Sequence, residues 1–209
     1  IADQYIKSGR YENILLVCSE VQSTTIDYSN RGRDVAVLFG DGCGAVIVSE
    51  TKEKKGILST HLHSQGKYAK ELWIETPSAK MYPRLTNELV EEGKHHLRMN
   101  GREVFKQAVR RFPEVILECL NYNKVDVNDI RLFLPHQANI RINNIVKEKL
   151  GLNDDQVFNN IHKYGNTTSA TIPILLAEAY ENKMIKKDDL ILMAAFGSGF
   201  TWGASLIKW

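Results

Sequence analysis

RLFLPHQANIRINNIVKEKLG, residues 131–151, decides the fold class. Arg131 to Leu134 is a short apolar run of strand character that stops at Pro135. Asn139 to Leu150 follows with apolar side chains at helical spacing, and Gly151 ends it. A buried strand leading directly into a helix is the unit of α/β proteins. Downstream, Thr168 to Tyr180 reads as a second helix, apolar along Ile172, Leu175, Leu176 and Ala179. Leu190 to Ala195 is a strand, Gly197-Ser198-Gly199 a tight turn, and Thr201 to Lys208 a closing strand. This order predicts an α/β fold, a mixed sheet covered by helices.

Upstream, Asn13 to Glu20 is a continuous apolar run, read as a buried strand. Val35 to Phe39 and Ala45 to Ser49 read as two more strands, joined by Gly40-Asp41-Gly42-Cys43-Gly44. Ile57 to Ser64 alternates and predicts a more exposed strand. Gly66 to Leu97 is polar and non-periodic, with Pro77 and Pro83; a loop of that length predicts a lid or binding segment. Glu103 to Tyr122 is an amphipathic helix that Pro113 is expected to kink or divide. Ile1, Tyr5 and Ile6 stand at helical spacing ahead of Gly9, so the chain opens inside a helix without Met, and it is read as part of a longer chain. No repeat, low-complexity tract or linker marks a second independent domain.

Composition narrows the function classes. The 209 residues hold 27 Lys+Arg against 25 Asp+Glu, a net charge of +2, with 43% hydrophobic residues. That balance argues against disorder and against a protein that coats nucleic acid. No apolar run has the length to span a bilayer as a helix. Three widely spaced cysteines are no disulfide scaffold and suggest a reducing compartment.

Three segments could carry chemistry. In Pro135-His136-Gln137-Ala138-Asn139, His136 stands at a strand end, the edge that faces ligand crevices in α/β sheets. The alternative is that His136 and Asn139 only cap the helix. Lys163 to Ala170 is a glycine turn feeding a helix, with Asn166 beside it and Thr168 or Ser169 as capping partners; it could also be a capping segment alone. In Phe196-Gly197-Ser198-Gly199-Phe200, glycines on both sides of Ser198 let backbone N–H groups approach a ligand, as an oxyanion site requires. A plain hairpin turn is the alternative. Gly40 to Ala45 formally matches G-x-G-x-x-A, but a strand-like run follows, so a dinucleotide site is rejected. His61, His63, His95 and His96 lack structural-zinc spacing, and no metal is expected. Cys18 and Cys119 read as core; Cys43 has the one claim to exposure, but is read as a buried, inert thiol.

The strings LFGDGCGAVIVSE, MNGREVFKQAV, LPHQANIRI, KYGNTTSATIPILLAEA and AAFGSGFTWGASLIKW, in this order, resemble β-ketoacyl-acyl carrier protein synthase III, a thiolase-fold condensing enzyme. The resemblance runs from Ile1 to Trp209. It implies a layered α-β-α-β-α fold, with 1–64 the remainder of a first half, 65–98 a lid and acyl-pocket region, and 99–209 a complete second half. It implies decarboxylative Claisen condensation of an acyl group from acyl-CoA with malonyl-acyl carrier protein, through an acyl-cysteine, in fatty acid biosynthesis. The family's histidine corresponds to His136, its asparagine to Asn166, and a backbone oxyanion donor to Ser198. None of the three cysteines matches the nucleophile, which is expected ahead of Ile1, so this chain by itself is expected to be inactive. Arg31 and Gly32 correspond to a contact on the adenine side of CoA. Phe105, Ala138, Asn139 and Ile142 correspond to the pantetheine channel, and Arg141 to a residue that meets the carrier protein. The resemblance implies a cytoplasmic homodimer with acyl-CoA as substrate, no permanently bound cofactor and no metal. Two departures stand out: Ser198 replaces the middle glycine of a triplet, and the 67–97 segment is longer than in short-chain members. They leave two alternatives, a thiolase-fold acyltransferase of secondary metabolism and a non-catalytic thioester-binding partner chain.

Overall fold

A computed structural model describes all residues, Ile1–Trp209. Helix α1 (Ala2–Lys7) leads into a two-stranded antiparallel ribbon, β1 (Asn13–Glu20) and β2 (Gly42–Ser49). Between them lies the short helix α2 (Arg33–Ala36). Strand β3 (Gly56–Ser64) precedes the long connection, which holds a 3-10 turn (Gly66–Tyr68), β4 (Leu72–Trp73) and α3 (Asn87–Glu91) and ends at β5 (Arg98–Met99). The remainder is α4 (Gly101–Asn123), β6 (Ile130–Pro135), α5 (Ile140–Leu150), α6 (Ile161–Tyr164), α7 (Thr171–Glu181), β7 (Leu190–Gly197) and β8 (Thr201–Lys208).

The central sheet has the order β3-β8-β7-β6, with β6 parallel to β7 and the other pairs antiparallel. It is the mixed sheet that the sequence predicts. Successive side chains of a strand face opposite ways. Phe133 of β6, with Leu192, Ala194 and Phe196 of β7, packs against Phe112, Val115 and Ile116 of α4 and Val146 of α5. Leu132, Leu134 and Ile191 point to the other face and meet Leu175 and Ala179 of α7. Both faces of the sheet are thus covered, which explains why β6 is apolar except at the half-buried Arg131. Strand β3, inside the 1–64 segment, is hydrogen-bonded to β8 and so joins the sheet of the later strands.

Four sequence readings need correction. Val35–Phe39 is no strand: Val35 and Ala36 N–H both bond Gly32 O, and Leu38 N–H bonds Val35 O. A five-residue apolar run cannot be assigned by periodicity, and here Asp34 in the first turn favours a helix start. Strand β1 is where the sequence places it but is not buried: Leu15 is 64% and Val17 55% exposed. Helix α1, α7 and the 3-10 turn Thr168–Ala170 cover only part of the ribbon. Its thiols follow suit, Cys18 half-buried and Cys43 exposed within β2, while Cys119 is buried in α4. Finally, Pro113 does not divide α4. Proline withdraws the donor that would bond Val109 O, and Lys149 Nζ of α5 donates to that carbonyl instead, at 2.9 Å.

Candidate functional site

His136 follows the last residue of β6, and its N–H is held by Ala194 O at 2.8 Å. Asn139 Oδ1 then accepts from Arg141 N–H and caps α5, so the capping reading of Asn139 is correct as far as it goes. His136 itself makes no cap. Its Nδ1 lies 2.6 Å from Thr171 Oγ1, in a buried setting. Burial pushes the imidazole pKa down to about 4, because the charged form loses its hydration. At pH 7 His136 is therefore neutral, with one N–H. Its Nε2 has no partner among the side chains and backbone, and the residue lines the main cavity.

Asn166 is positioned by its backbone. Its N–H bonds Leu38 O at 2.8 Å and its carbonyl accepts from Gly40 N–H at 3.0 Å, a one-residue parallel bridge. Gly165, at φ +68°, permits the turn into that bridge. The glycines of Gly40 to Gly44 now have a purpose. A Cβ on Gly40 would collide with Tyr164 O, one on Gly42 would lie 2.9 Å from Thr167 Cγ2, and one on Gly44 2.6 Å from Pro173 Cβ. They allow close packing of the Asn166 segment, and the rejected dinucleotide motif is accounted for. The Asn166 amide is oriented by Thr168 N–H, which donates to Oδ1 at 2.9 Å. An oxygen must occupy that side, so Nδ2 with its two N–H groups is on the other, without an acceptor in the chain.

Ser198 sits in the turn between β7 and β8. Its N–H bonds no group of the chain. Its hydroxyl, the departure noted in the sequence, donates to Leu72 O of β4 at 2.6 Å. The turn is thereby tied to the long 66–97 connection, and Phe200 and Gln65 exchange backbone bonds beside it.

A cavity of about 1180 Å³ joins these groups. His136, Asn166 and Ser198 line it, as do Phe105, Ala138, Asn139 and Ile142. Leu72, Leu97 and Met99 add an apolar wall from the long connection and its end. Arg31 and Gly32 lie elsewhere, in a neighbouring cavity of about 310 Å³ that shares Asp34, Leu97 and Met99 with the first. There Arg31 Nε bonds Asp27 Oδ2 at 2.6 Å, and hydrogen bonds from Ser29 and Arg31 hold the Asp27 carboxyl well below the usual carboxylate range. Arg141 lies outside both cavities, exposed on the first turn of α5. None of the three cysteines lines either cavity. His61 and His63 both contact the Glu118 carboxylate, at 3.1 and 2.6 Å, and His63 also lines the main cavity.

Two participants escape sequence reading. Thr171, the His136 partner, looks like any small polar residue at a helix start. Gln137, fully buried, donates to Pro135 O and Asn159 Oδ1 and accepts from Asn160 and Ile161 N–H. Its place between two candidate residues is the only signal.

The architecture and the site define a thiolase-like α/β protein with polar donors converging on one cavity. Solved 3-oxoacyl-[acyl-carrier-protein] synthase III structures superpose on the whole chain: that from Aquifex aeolicus at TM-score 0.88 and 41% identity, and that from Thermus thermophilus at 0.89 and 39%. The chain covers 61% and 62% of those structures. Family models described as 3-oxoacyl-[acyl-carrier-protein] synthase III and its C-terminal part match residues 1–66 and 120–209. Curated β-ketoacyl-[acyl-carrier-protein] synthase III proteins from Helicobacter pylori and Aquifex aeolicus are each 42% identical, over 99% and 100% of this chain and 61% and 62% of their own lengths. This chain belongs to the 3-oxoacyl-[acyl-carrier-protein] synthase III family.

Proposed function

We propose that the chain supplies the oxyanion machinery of a condensing enzyme that joins an acyl group from acyl-CoA to malonyl-acyl carrier protein, in fatty acid biosynthesis. The acyl group rides on a cysteine thiolate that none of Cys18, Cys43 and Cys119 provides. Malonyl thioester loses CO2, the electrons of the broken C–C bond move onto the thioester oxygen, and an enolate forms. Its carbon then attacks the acyl-cysteine carbonyl, and the tetrahedral intermediate expels the thiolate. His136 Nε2–H and Asn166 Nδ2–H donate to the thioester oxygen as its charge grows. A neutral imidazole suits this task, since it donates a hydrogen bond without surrendering its proton. Ser198 N–H serves the second oxyanion, that of the acyl-cysteine. The supporting observation is that all three donors line one cavity and lack acceptors within the chain.

In the same reading acyl-CoA is a substrate, no cofactor is held permanently, and the apolar wall from the 65–98 region receives the acyl chain. Phe105, Ala138, Asn139 and Ile142 flank the pantetheine arm, Arg31 and Gly32 the nucleotide end, and Arg141 meets the carrier protein. The enzyme acts in the cytoplasm as a homodimer; no helix of the chain is long and apolar enough to cross a membrane.

The test uses the full-length protein in a malonyl-acyl carrier protein decarboxylation assay. His136→Ala and Asn166→Ala are each expected to lower the rate on the order of 10²-fold or more. Retention of near wild-type decarboxylation and condensation by both variants would refute the assignment.

A further inference from the structure

Ser198 joins the turn between β7 and β8 to the apolar wall of the cavity. Its hydroxyl donates to Leu72 O at 2.6 Å, and a carbonyl can only accept, so the direction of the bond is fixed. That carbonyl is free for it. Asn100 N–H bonds Glu71 O at 2.7 Å, which makes residues 71 and 100 a hydrogen-bonded pair beside the β4–β5 ribbon. Bonded and non-bonded pairs alternate in an antiparallel ribbon, so Leu72, opposite Met99, turns its N–H and C=O outward. In such a non-bonded pair the two side chains stand close together on one face, and those of Leu72 and Met99 both line the cavity.

The 65–72 stretch is anchored at its other end. Gln65 exchanges backbone bonds with Phe200, and the Tyr68 ring stacks on that of Phe200 with centroids 5.0 Å apart. Leu72 itself is held by the two-residue pairing with β5 and by the Ser198 hydroxyl. We infer that Ser198 is a specificity-determining residue: its hydroxyl latches Leu72 to the turn that carries the Ser198 N–H, and so sets how long an acyl chain the cavity takes. A chain that reaches Leu72 can extend further only by pushing β4 off the turn and breaking the latch. Shorter chains leave it closed. A glycine at 198 would present the same N–H with no latch. Ser198 is exposed and water competes for its hydroxyl, so the latch is worth about three-fold in an equilibrium, the low end for one neutral hydrogen bond.

The acyl selectivity rests on the condensing-enzyme reading; the latch does not. The full-length protein is therefore read in two ways. Hydrogen–deuterium exchange followed by mass spectrometry reports the opening of peptides that cover 66–73. Denaturing intact mass reports the second-order acylation rate over straight-chain acyl-CoAs from acetyl to dodecanoyl. Ser198→Ala keeps the backbone N–H and, since Ser198 has no left-handed φ, removes only the hydroxyl. It is expected to speed exchange about three-fold, and to raise the acylation rate of the longest accepted chains about three-fold relative to acetyl-CoA. Ser198→Thr keeps the hydroxyl and should retain the wild-type exchange and the wild-type ratio, whatever its absolute rate. In a Leu72→Ala background the wall is already cut back, so Ser198→Ala should change the ratio little. Wild-type exchange in Ser198→Ala would overturn the latch. Faster exchange with an unchanged chain-length profile, or with a loss equal for all chains, would overturn the selectivity. A wild type that accepts no acyl-CoA of the series, with exchange still responding to Ser198→Ala, would refute the condensing-enzyme reading instead and leave the latch standing.

Discussion

Replacing Gln137 with leucine tests whether the two donor segments are held at a fixed separation by one side chain. Gln137 is fully buried, and its amide uses every hydrogen-bonding position, at 2.8 and 3.2 Å as donor and twice at 3.1 Å as acceptor. On one side it covers Pro135 O, beyond the point where Phe158 N–H bonds Phe133 O along the free edge of β6. On the other it holds the N–H groups of Asn160 and Ile161, at the start of the segment that carries Asn166. Leucine preserves the volume and removes all four bonds. Asn159 Oδ1 keeps a donor, Asn143 Nδ2 at 2.8 Å, so three backbone groups are orphaned: Pro135 O, Asn160 N–H and Ile161 N–H. At about 1.5 kcal/mol for each orphaned group, the loss is about 4.5 kcal/mol. The more apolar side chain returns about 1–2 kcal/mol, which leaves a net cost of about 3 kcal/mol. Urea unfolding of the full-length protein measures this directly, as a lower midpoint at unchanged slope. Decarboxylation by the folded fraction should also fall, because the His136 strand end and the Asn166 segment lose their common clamp. A Gln137→Leu variant within about 0.5 kcal/mol of wild type, the range of an inconsequential surface change, would refute the clamp.

The pH dependence of stability has a defined sign. His136 titrates at about 4 when folded and near its usual 6.5 when unfolded, so the unfolded chain takes up the proton first. Its contribution is present above pH 6.5 and is lost as the pH falls toward 4, at no more than about 1.4 kcal/mol per pH unit; urea midpoints of His136→Asn should show a flatter profile in that window. Lys149→Met in α5 removes the donor from Val109 O of α4 and is expected to cost about 1 kcal/mol. In a Pro113→Ala background the helix supplies its own donor, so the same change should cost measurably less in a double-mutant cycle read by urea unfolding.

What the sequence makes legible follows from how local each signal is. Asn139 and Gly151 mark the ends of α5 because capping and a left-handed φ, +70° at Gly151, are decided within a few residues. Strand β1 is legible to the residue, since an apolar run between polar flanks is local too. Its exposure is not legible, because burial depends on what covers a strand, and composition says nothing of that. Val35–Phe39 misleads for a related reason: five apolar residues fit a strand or a helical turn equally, and Gly32 and Asp34 make the choice. Among site residues, His136, Asn166 and Ser198 are found through the resemblance and meet at one cavity. Thr171 and Gln137 are not, since their partners lie 35 residues and 22 to 24 residues away. The link between Ser198 and Leu72, 126 residues apart, is equally invisible.

The Gly40–Gly44 motif shows how a local pattern acquires its meaning from distant packing. Spaced glycines mark places where something approaches the backbone closely, and a phosphate is one such object. Here the approaching object is the chain itself: Tyr164 O, Thr167 and Pro173 occupy the space that side chains at 40, 42 and 44 would need. That contact brings Leu38 O and Gly40 N–H against Asn166, and it places the 3-10 turn within reach of β1, where Ser169 Oγ bonds Glu20 at 2.5 Å. The Asn166 segment is therefore gripped from the ribbon side by the glycines and from the sheet side by Gln137. His136 is held by the sheet through Ala194 O and contacted by Thr171 at the start of α7. Each of these two residues has its backbone fixed by one part of the fold and its side chain contacted by the Thr168–Thr171 stretch. Preorganised donors need no rearrangement as charge develops on a substrate oxygen, which is the condition under which hydrogen bonds lower a barrier most.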